Sequence, residues 1–127
     1  MKKLYVDTNV FLRYFLNDNT RQSNLARKYF LQAQKNNCKL FTIPQILFEF
    51  AYVLKSVYKR NKKDVVTHLK IILSMNFLVI NNKEELKQAT VIYQNKNIDL
   101  VDAYLFVCAQ TNQAEVFSFD KDFKKLN

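Results

Sequence analysis

Apolar residues follow two rhythms in this chain, short runs and helical spacings, and the two alternate from end to end. Leu4-Tyr5-Val6 is a run that stops on Asp7, and residues 10–17 then repeat helically with Arg13 as their only charge. Asp18-Asn19-Thr20 reads as a turn. Residues 20–35 predict an amphipathic helix with Leu25, Tyr29, Phe30 and Ala33 inward. A second strand is predicted over 38–43. Pro44 opens a strongly apolar helix over 45–58, where Thr42 and Gln45 have capping-box spacing and proline suits the first turn. A basic turn (59–63), a helix (64–75), a strand (77–80) and a helix (83–94) follow. Residues 99–110 form a nearly all-apolar helix with Asp99 at its N-cap. Val116-Phe117-Ser118-Phe119 predicts a last strand ending on Asp120, before a short terminal helix through Lys125. This alternation predicts an α/β fold, a three-layer α/β/α domain around a central, mostly parallel sheet. No linker or repeat divides the 127 residues, so a single domain over 1–127 is expected.

The first strand delivers Asp7 to the sheet's carboxyl edge, with Thr8 or Asn9 capping the next helix. Ligands of open α/β sheets bind at that edge, and the other informative acids are expected to converge there. The chain has no Gly, which excludes glycine-rich phosphate loops and dinucleotide fingerprints because both need glycine for backbone approach. Fourteen Asn take over left-handed helix ends, expected at Asn36-Asn37, Asn76 and Asn112. Cys38 and Cys108 stand far apart with only His68 as a nitrogen ligand, so two buried free thiols are expected and a zinc site is not. No apolar run approaches a membrane span, and Asp7 and Asn9 interrupt any signal-peptide core, so a cytoplasmic protein without membrane contact is expected. Lys and Arg number 20 against 11 Asp and Glu, a net charge of +9, which favours a polyanionic partner, nucleic acid ahead of membrane.

Of the eleven acids, Asp18, Asp64, Glu84, Glu85 and Glu115 fall in turns or on polar faces and read as solvated charges. The others are Asp7, Glu49, Asp99, Asp102, Asp120 and Asp122. Glu49 interrupts an apolar helix with no base before Lys55, so a buried carboxylate needing a partner or a cation is expected there. Asp102 sits within Leu100-Val101-Asp102-Ala103-Tyr104 and poses the same problem. Asp99 fits a structural capping role better, and Asp120 or Asp122 starts the terminal helix. Four or more carboxylates at one edge repel each other unless a cation sits among them. An all-oxygen donor set favours Mg²⁺ or Mn²⁺, and phosphodiester hydrolysis is the chemistry such a cluster serves best.

Four stretches, YVDTNVFLRYF, IPQILFEFAYVL, IDLVDAYLFVCA and FSFDKDFKKL, together resemble the PIN-domain nucleases, most closely the VapC-type toxins of toxin–antitoxin pairs. The resemblance spans essentially the whole chain, with Ser118 where the family usually has Thr. It implies an endoribonuclease dependent on Mg²⁺ or Mn²⁺, with Asp7, Glu49, Asp102 and Asp120 as catalytic metal-binding acids and Asp122 able to replace Asp120. It further implies structured RNA such as tRNA or ribosomal RNA as substrate, a cognate antitoxin protein as partner, and a homodimer. Thr8, Asn9, Asp99 and Ser118 are supporting candidates around the metal site. Arg13 and Lys121 are candidates for RNA contact. His68 reads as a helix-face residue and Tyr14, Tyr52 and Tyr93 as core, with base stacking the sharper alternative. A PIN enzyme of RNA maturation, or a PIN-like module that binds RNA without cutting it, are the competing readings. A phospho-acceptor domain is disfavoured, because the first strand ends on a single acid and the second on none.

Overall fold

Leu4, Leu40 and Leu78 stand abreast in three parallel strands and point one leucine from each into the core. The computed structural model describes residues 1–126. Strands β1 (Lys2–Tyr5), β2 (Cys38–Thr42) and β3 (Leu78–Ile80) pair in that order, both pairs parallel. Helices α1 (Thr8–Leu16) and α2 (Thr20–Gln34) join β1 to β2, and α3 (Pro44–Ser56) and α4 (Lys62–Ser74) join β2 to β3. Helices α5 (Lys83–Asn95) and α6 (Leu100–Thr111) follow, and a 3₁₀ helix, Lys121–Leu126, closes the described chain. The predicted three-layer α/β/α class is the fold found, with every predicted helix present.

The core is aromatic at its centre. Phe11 of α1 meets Phe30 of α2 and Phe50 of α3 edge to face, with ring centroids 6.0 and 6.1 Å apart, a geometry aromatic pairs favour. Leu47, Phe50, Ala51 and Leu54 form the buried stripe of α3, and Val65, Leu69, Ile72 and Leu73 that of α4. Leu25, expected inward, faces outward on α2, where Ala26, Phe30 and Ala33 take the inner stripe. Cys38 is buried as expected and Cys108 only half-buried.

Local turns differ from expectation for identifiable reasons. Left-handed backbone falls at Asn17, Asn36, Lys59, Asn82 and Gln113. Asn supplies three of the five sites, as its tolerance of that region predicts, but of the expected positions only Asn36 is among them. The capping box at Thr42 does not form. Ile43 takes the N-cap of α3 without a side-chain bond, and the Thr42 hydroxyl is drawn away to donate to the Val6 carbonyl at 2.9 Å. That buried bond ties the end of β2 to the residue preceding Asp7. Thr42→Val is expected to lower unfolding free energy by about 1–3 kcal/mol in urea denaturation. A loss below about 0.5 kcal/mol would mean the Val6 carbonyl finds another donor.

The largest departure is the last strand. Residues 116–119 join no sheet, and Phe117 and Phe119 stand 89% and 94% exposed. Local bonds compete with a ladder here. The Asp120 N–H donates to Ser118 Oγ at 3.0 Å, and the Asp122 N–H to Asp120 Oδ1 at 2.9 Å. β1 is therefore left as an edge strand. Its outward Tyr5 stacks on Phe41 with centroids 5.2 Å apart, yet remains 74% exposed.

Candidate active site

Asp7 leaves β1 directly into α1 and caps that helix itself, Oδ1 accepting from the Val10 N–H at 3.3 Å. Thr8 and Asn9, the expected caps, lie instead inside or beside the first turn. Asp7 is nearer the turn and carries the stronger acceptor. Its carboxylate is exposed, with its second oxygen free for other use. Thr8 is 4% exposed, and its Oγ1 is the one buried side-chain polar atom without a hydrogen-bond partner among the described residues. A buried hydroxyl left unpaired is costly, so this donor beside Asp7 is suited to an incoming acceptor oxygen.

Glu49 corrects the expectation of a buried carboxylate. It lies on the exposed face of α3, opposite the stripe of Leu47, Phe50 and Leu54. There it borders a groove with Tyr52, Lys55, Tyr93 and Asp99. The helix is apolar enough to hide the polarity of that one face from a linear reading.

Asp102 is half-buried in the first turn of α6. Burial, and then the neighbouring charges of Asp99, Asp120 and Asp122, push its carboxyl above the ordinary carboxylate range. Asp99 holds the N-cap position of α6, but its side chain makes no capping bond, so its charge stays available beside Asp102. Asp120 caps the terminal 3₁₀ helix through Asp122 N–H, which settles which of the two acids begins that helix. Asp122 pairs with Lys125 at 3.0 Å. Ser118 is engaged in the turn before Asp120.

Because the folded pKa of Asp102 lies above its unfolded value, its contribution to stability is full below the unfolded carboxylate range. That contribution is lost as pH rises through the folded pKa. Asp102→Asn, neutral throughout, is expected to raise the melting temperature at pH 7 in metal-free buffer. The gain should vanish on acidification, and an equal gain at both ends of a pH series would contradict this electrostatic account.

Negative charge gathers at the start of α6, where Asp99, Asp120 and Asp122 act on Asp102, and Glu49 borders the same groove as Asp99. Among the described residues no three His, Cys, Asp or Glu side chains are close enough together to hold a metal ion. In donor chemistry the residues fit a hard divalent cation. They are all carboxylates, they repel each other at Asp102, and an unpaired hydroxyl stands next to Asp7.

The basic residues divide. Arg13 is held by Asp18, with Nη1 2.8 Å from both carboxylate oxygens, by Gln22 at 3.1 Å and by Tyr58 at 3.4 Å. Its guanidinium pKa is raised by the bonds to Tyr58 and Asp18. Lys121 is exposed beside Asp120. Lys62, read from the sequence only as part of the basic stretch 59–63, has partners that the sequence did not indicate. Its Nζ lies 4.6 Å over the Tyr93 ring, donates to the Lys96 carbonyl at 2.8 Å, and is attracted by Asp99. No spacing signal links residues on α4, α5 and α6 before the helices pack. His68 lies half-buried against Phe15, its Nδ1 2.7 Å from the Asp64 carbonyl, away from these acids.

The PIN domain family model matches residues 4–127. The chain is also 26% identical over 122 residues to a VapC ribonuclease of Aquifex aeolicus (strain VF5), an alignment covering 95% of this chain and 90% of that protein.

Proposed function

The chain belongs to the PIN domain family, and from that premise we propose that it is a divalent-metal-dependent endoribonuclease, the toxin of a toxin–antitoxin pair. The observation carrying the proposal is Asp102, a half-buried carboxyl at the start of α6, crowded by three further acids on a chain of net charge +9. Such crowding is unfavourable without a cation, and the surrounding positive charge suits a phosphate chain. The VapC ribonuclease relative supports the choice of RNA.

In this reading Asp7, Glu49, Asp102 and Asp120 hold Mg²⁺ or Mn²⁺, with Asp122 beside them. When bound, the metal polarises a phosphate oxygen and activates water for attack. The protein's own groups do the rest. Thr8 Oγ1 donates to an acceptor at Asp7, Ser118 holds the turn that carries Asp120, and Asp99 adds negative charge beside Asp102. Lys121 contributes positive charge at the terminal acids for the RNA backbone. Substrate choice falls on structured RNA such as tRNA or ribosomal RNA, and a cognate antitoxin covers the acidic edge. Homodimer formation and a cytoplasmic setting complete the proposal. No helix among the described residues is long and apolar enough to cross a membrane.

Chelation provides the first test. EDTA is expected to abolish RNA cleavage and added Mg²⁺ or Mn²⁺ to restore it, whereas cleavage that persists in EDTA would refute metal dependence. Growth arrest on expression, relieved by the product of an adjoining short reading frame, separates a toxin from a maturation enzyme. Expression without arrest supports the latter.

A further inference from the structure

Of the seven tyrosines, Tyr52 is the one that packing does not explain. Tyr93 lies in the core, Tyr14, Tyr29, Tyr58 and Tyr104 pack against it, and Tyr5 stacks on Phe41. Tyr52, expected in the core, is instead 67% exposed on the wet face of α3. Its register is the reason. Residues three and four apart share a helix face, and Tyr52 falls with Glu49, Lys55 and Ser56, away from the buried Leu47, Phe50 and Leu54.

The Tyr52 ring borders a groove of about 510 Å³ between α3 and the start of α6, a size common among small-ligand sites. Three kinds of surface meet there. Glu49 and Asp99 supply carboxylates, and Asp99 acts in turn on Asp102. Leu100 and the exposed Val101 add apolar surface beside the tyrosine. Lys55 and Ser56 stand one helical turn beyond Tyr52, and the Lys62 ammonium lies 4.6 Å over the ring of Tyr93, which also borders the groove. About 9 Å of helix separates Glu49 from Lys55, with Tyr52 midway. Along α3 the groove thus offers an acid suited to a metal ion, then a flat aromatic face, then a cation.

We propose that this groove is a nucleotide subsite, in which one unstacked base of the RNA lies on the Tyr52 ring and its phosphate rests on Lys55. The neighbouring phosphate is thereby held at Glu49. That last step rests on the nuclease reading above, whereas the binding of base and phosphate does not. Every base has a π-face, so the stack contributes affinity without reading sequence. A base stacked within a duplex cannot offer that face, so the subsite admits RNA only where a base is splayed out. Lys55 contributes the salt-dependent part of the affinity. The net charge of +9 favours a polyanion in this groove over a second protein surface.

Affinity for a labelled single-stranded RNA of mixed sequence tests it, measured with Mg²⁺ in Asp102→Asn protein so that the probe stays intact. Adding Tyr52→Ala should weaken binding about 5–150-fold, while Tyr52→Phe, which keeps the ring, should stay within about twofold of the parent. Lys55→Gln should lower the slope of log K against log salt by about 0.7, one single-strand phosphate contact, and Tyr52→Ala should leave that slope unchanged. Circular dichroism should match throughout, because both side chains are exposed. Unchanged affinity in Tyr52→Ala, or a loss that Tyr52→Phe shares, overturns the subsite, as does a parent protein that binds no RNA. Mass measurement in solution covers the rival occupant. If Tyr52→Ala changes the number of copies in the assembly, the groove holds a second copy and the RNA assignment falls. Cleavage by protein with Asp102 intact separates this proposal from the nuclease reading. If that protein cuts RNA and Tyr52→Ala binds equally well, the subsite alone fails. If it never cuts, yet RNA affinity depends on the Tyr52 ring, the nuclease reading fails and the subsite stands.

Discussion

Asp7→Asn is expected to lower RNA cleavage by about 10²–10³-fold with the fold intact. The substitution removes one charge and changes little else. Asparagine serves as an N-cap nearly as well as aspartate, so the bond from the Val10 N–H that starts α1 survives. Val6, Phe11 and Leu12 on either side remain buried in the core and hold the turn in place. A loss of activity cannot then be assigned to unfolding, provided melting temperature and circular dichroism match the wild type. Asp7→Ala removes both cap and charge, and should add about 1 kcal/mol of destabilisation to the same loss of cleavage. The pair of variants separates the structural duty of Asp7 from its chemical one.

Phe50→Ala should cost about 3–5 kcal/mol of unfolding free energy. Phe50 is fully buried on α3 and touches Phe11 and Phe15 of α1, with ring centroids 6.1 and 5.8 Å apart. Its removal leaves a void between the helices that follow β1 and β2, and those helices carry Asp7 and Glu49. Against a typical domain stability of about 5–15 kcal/mol, such a loss leaves part of the protein unfolded at 37 °C, with activity falling in proportion. Urea denaturation measures it. A cost below about 1.5 kcal/mol would mean that Phe11, Phe15 and His68 collapse into the space.

The fold was legible where periodicity alone decides an element. The alternation of apolar runs and helical stripes located three strands and six helices, and Pro44 marked the start of α3 as a first-turn proline should. It failed where local hydrogen bonds compete with burial. The stretch Val116 to Phe119 alternates like a strand, but Ser118 and Asp120 turn the backbone onto themselves, and a strand needs a partner edge that no pattern supplies. Glu49 was identifiable as an oddity and misplaced in depth, because an apolar helix with one wet face reads like a buried one. Asp102 was legible as an acid in an apolar turn. Its acidic neighbours were expected from the clustering of acids at one edge, and Asp99, Asp120 and Asp122 do act on it, the last two through the chain's return to α6. The Arg13–Asp18 pair was hidden for a simpler reason, each residue having been assigned alone as an RNA contact or a solvated charge.

Cleavage of one defined structured RNA should be followed at matched protein concentration for the wild type, Asp7→Asn and Asp102→Asn, each across a titration of Mn²⁺ starting from EDTA-treated protein. The wild type should cut only once Mn²⁺ is added, with a rate that saturates, and both variants should stay near background at every concentration. Cleavage by metal-free wild type, or by the variants at the wild-type rate, would contradict the assignment of this acidic edge as a metal-dependent nuclease site.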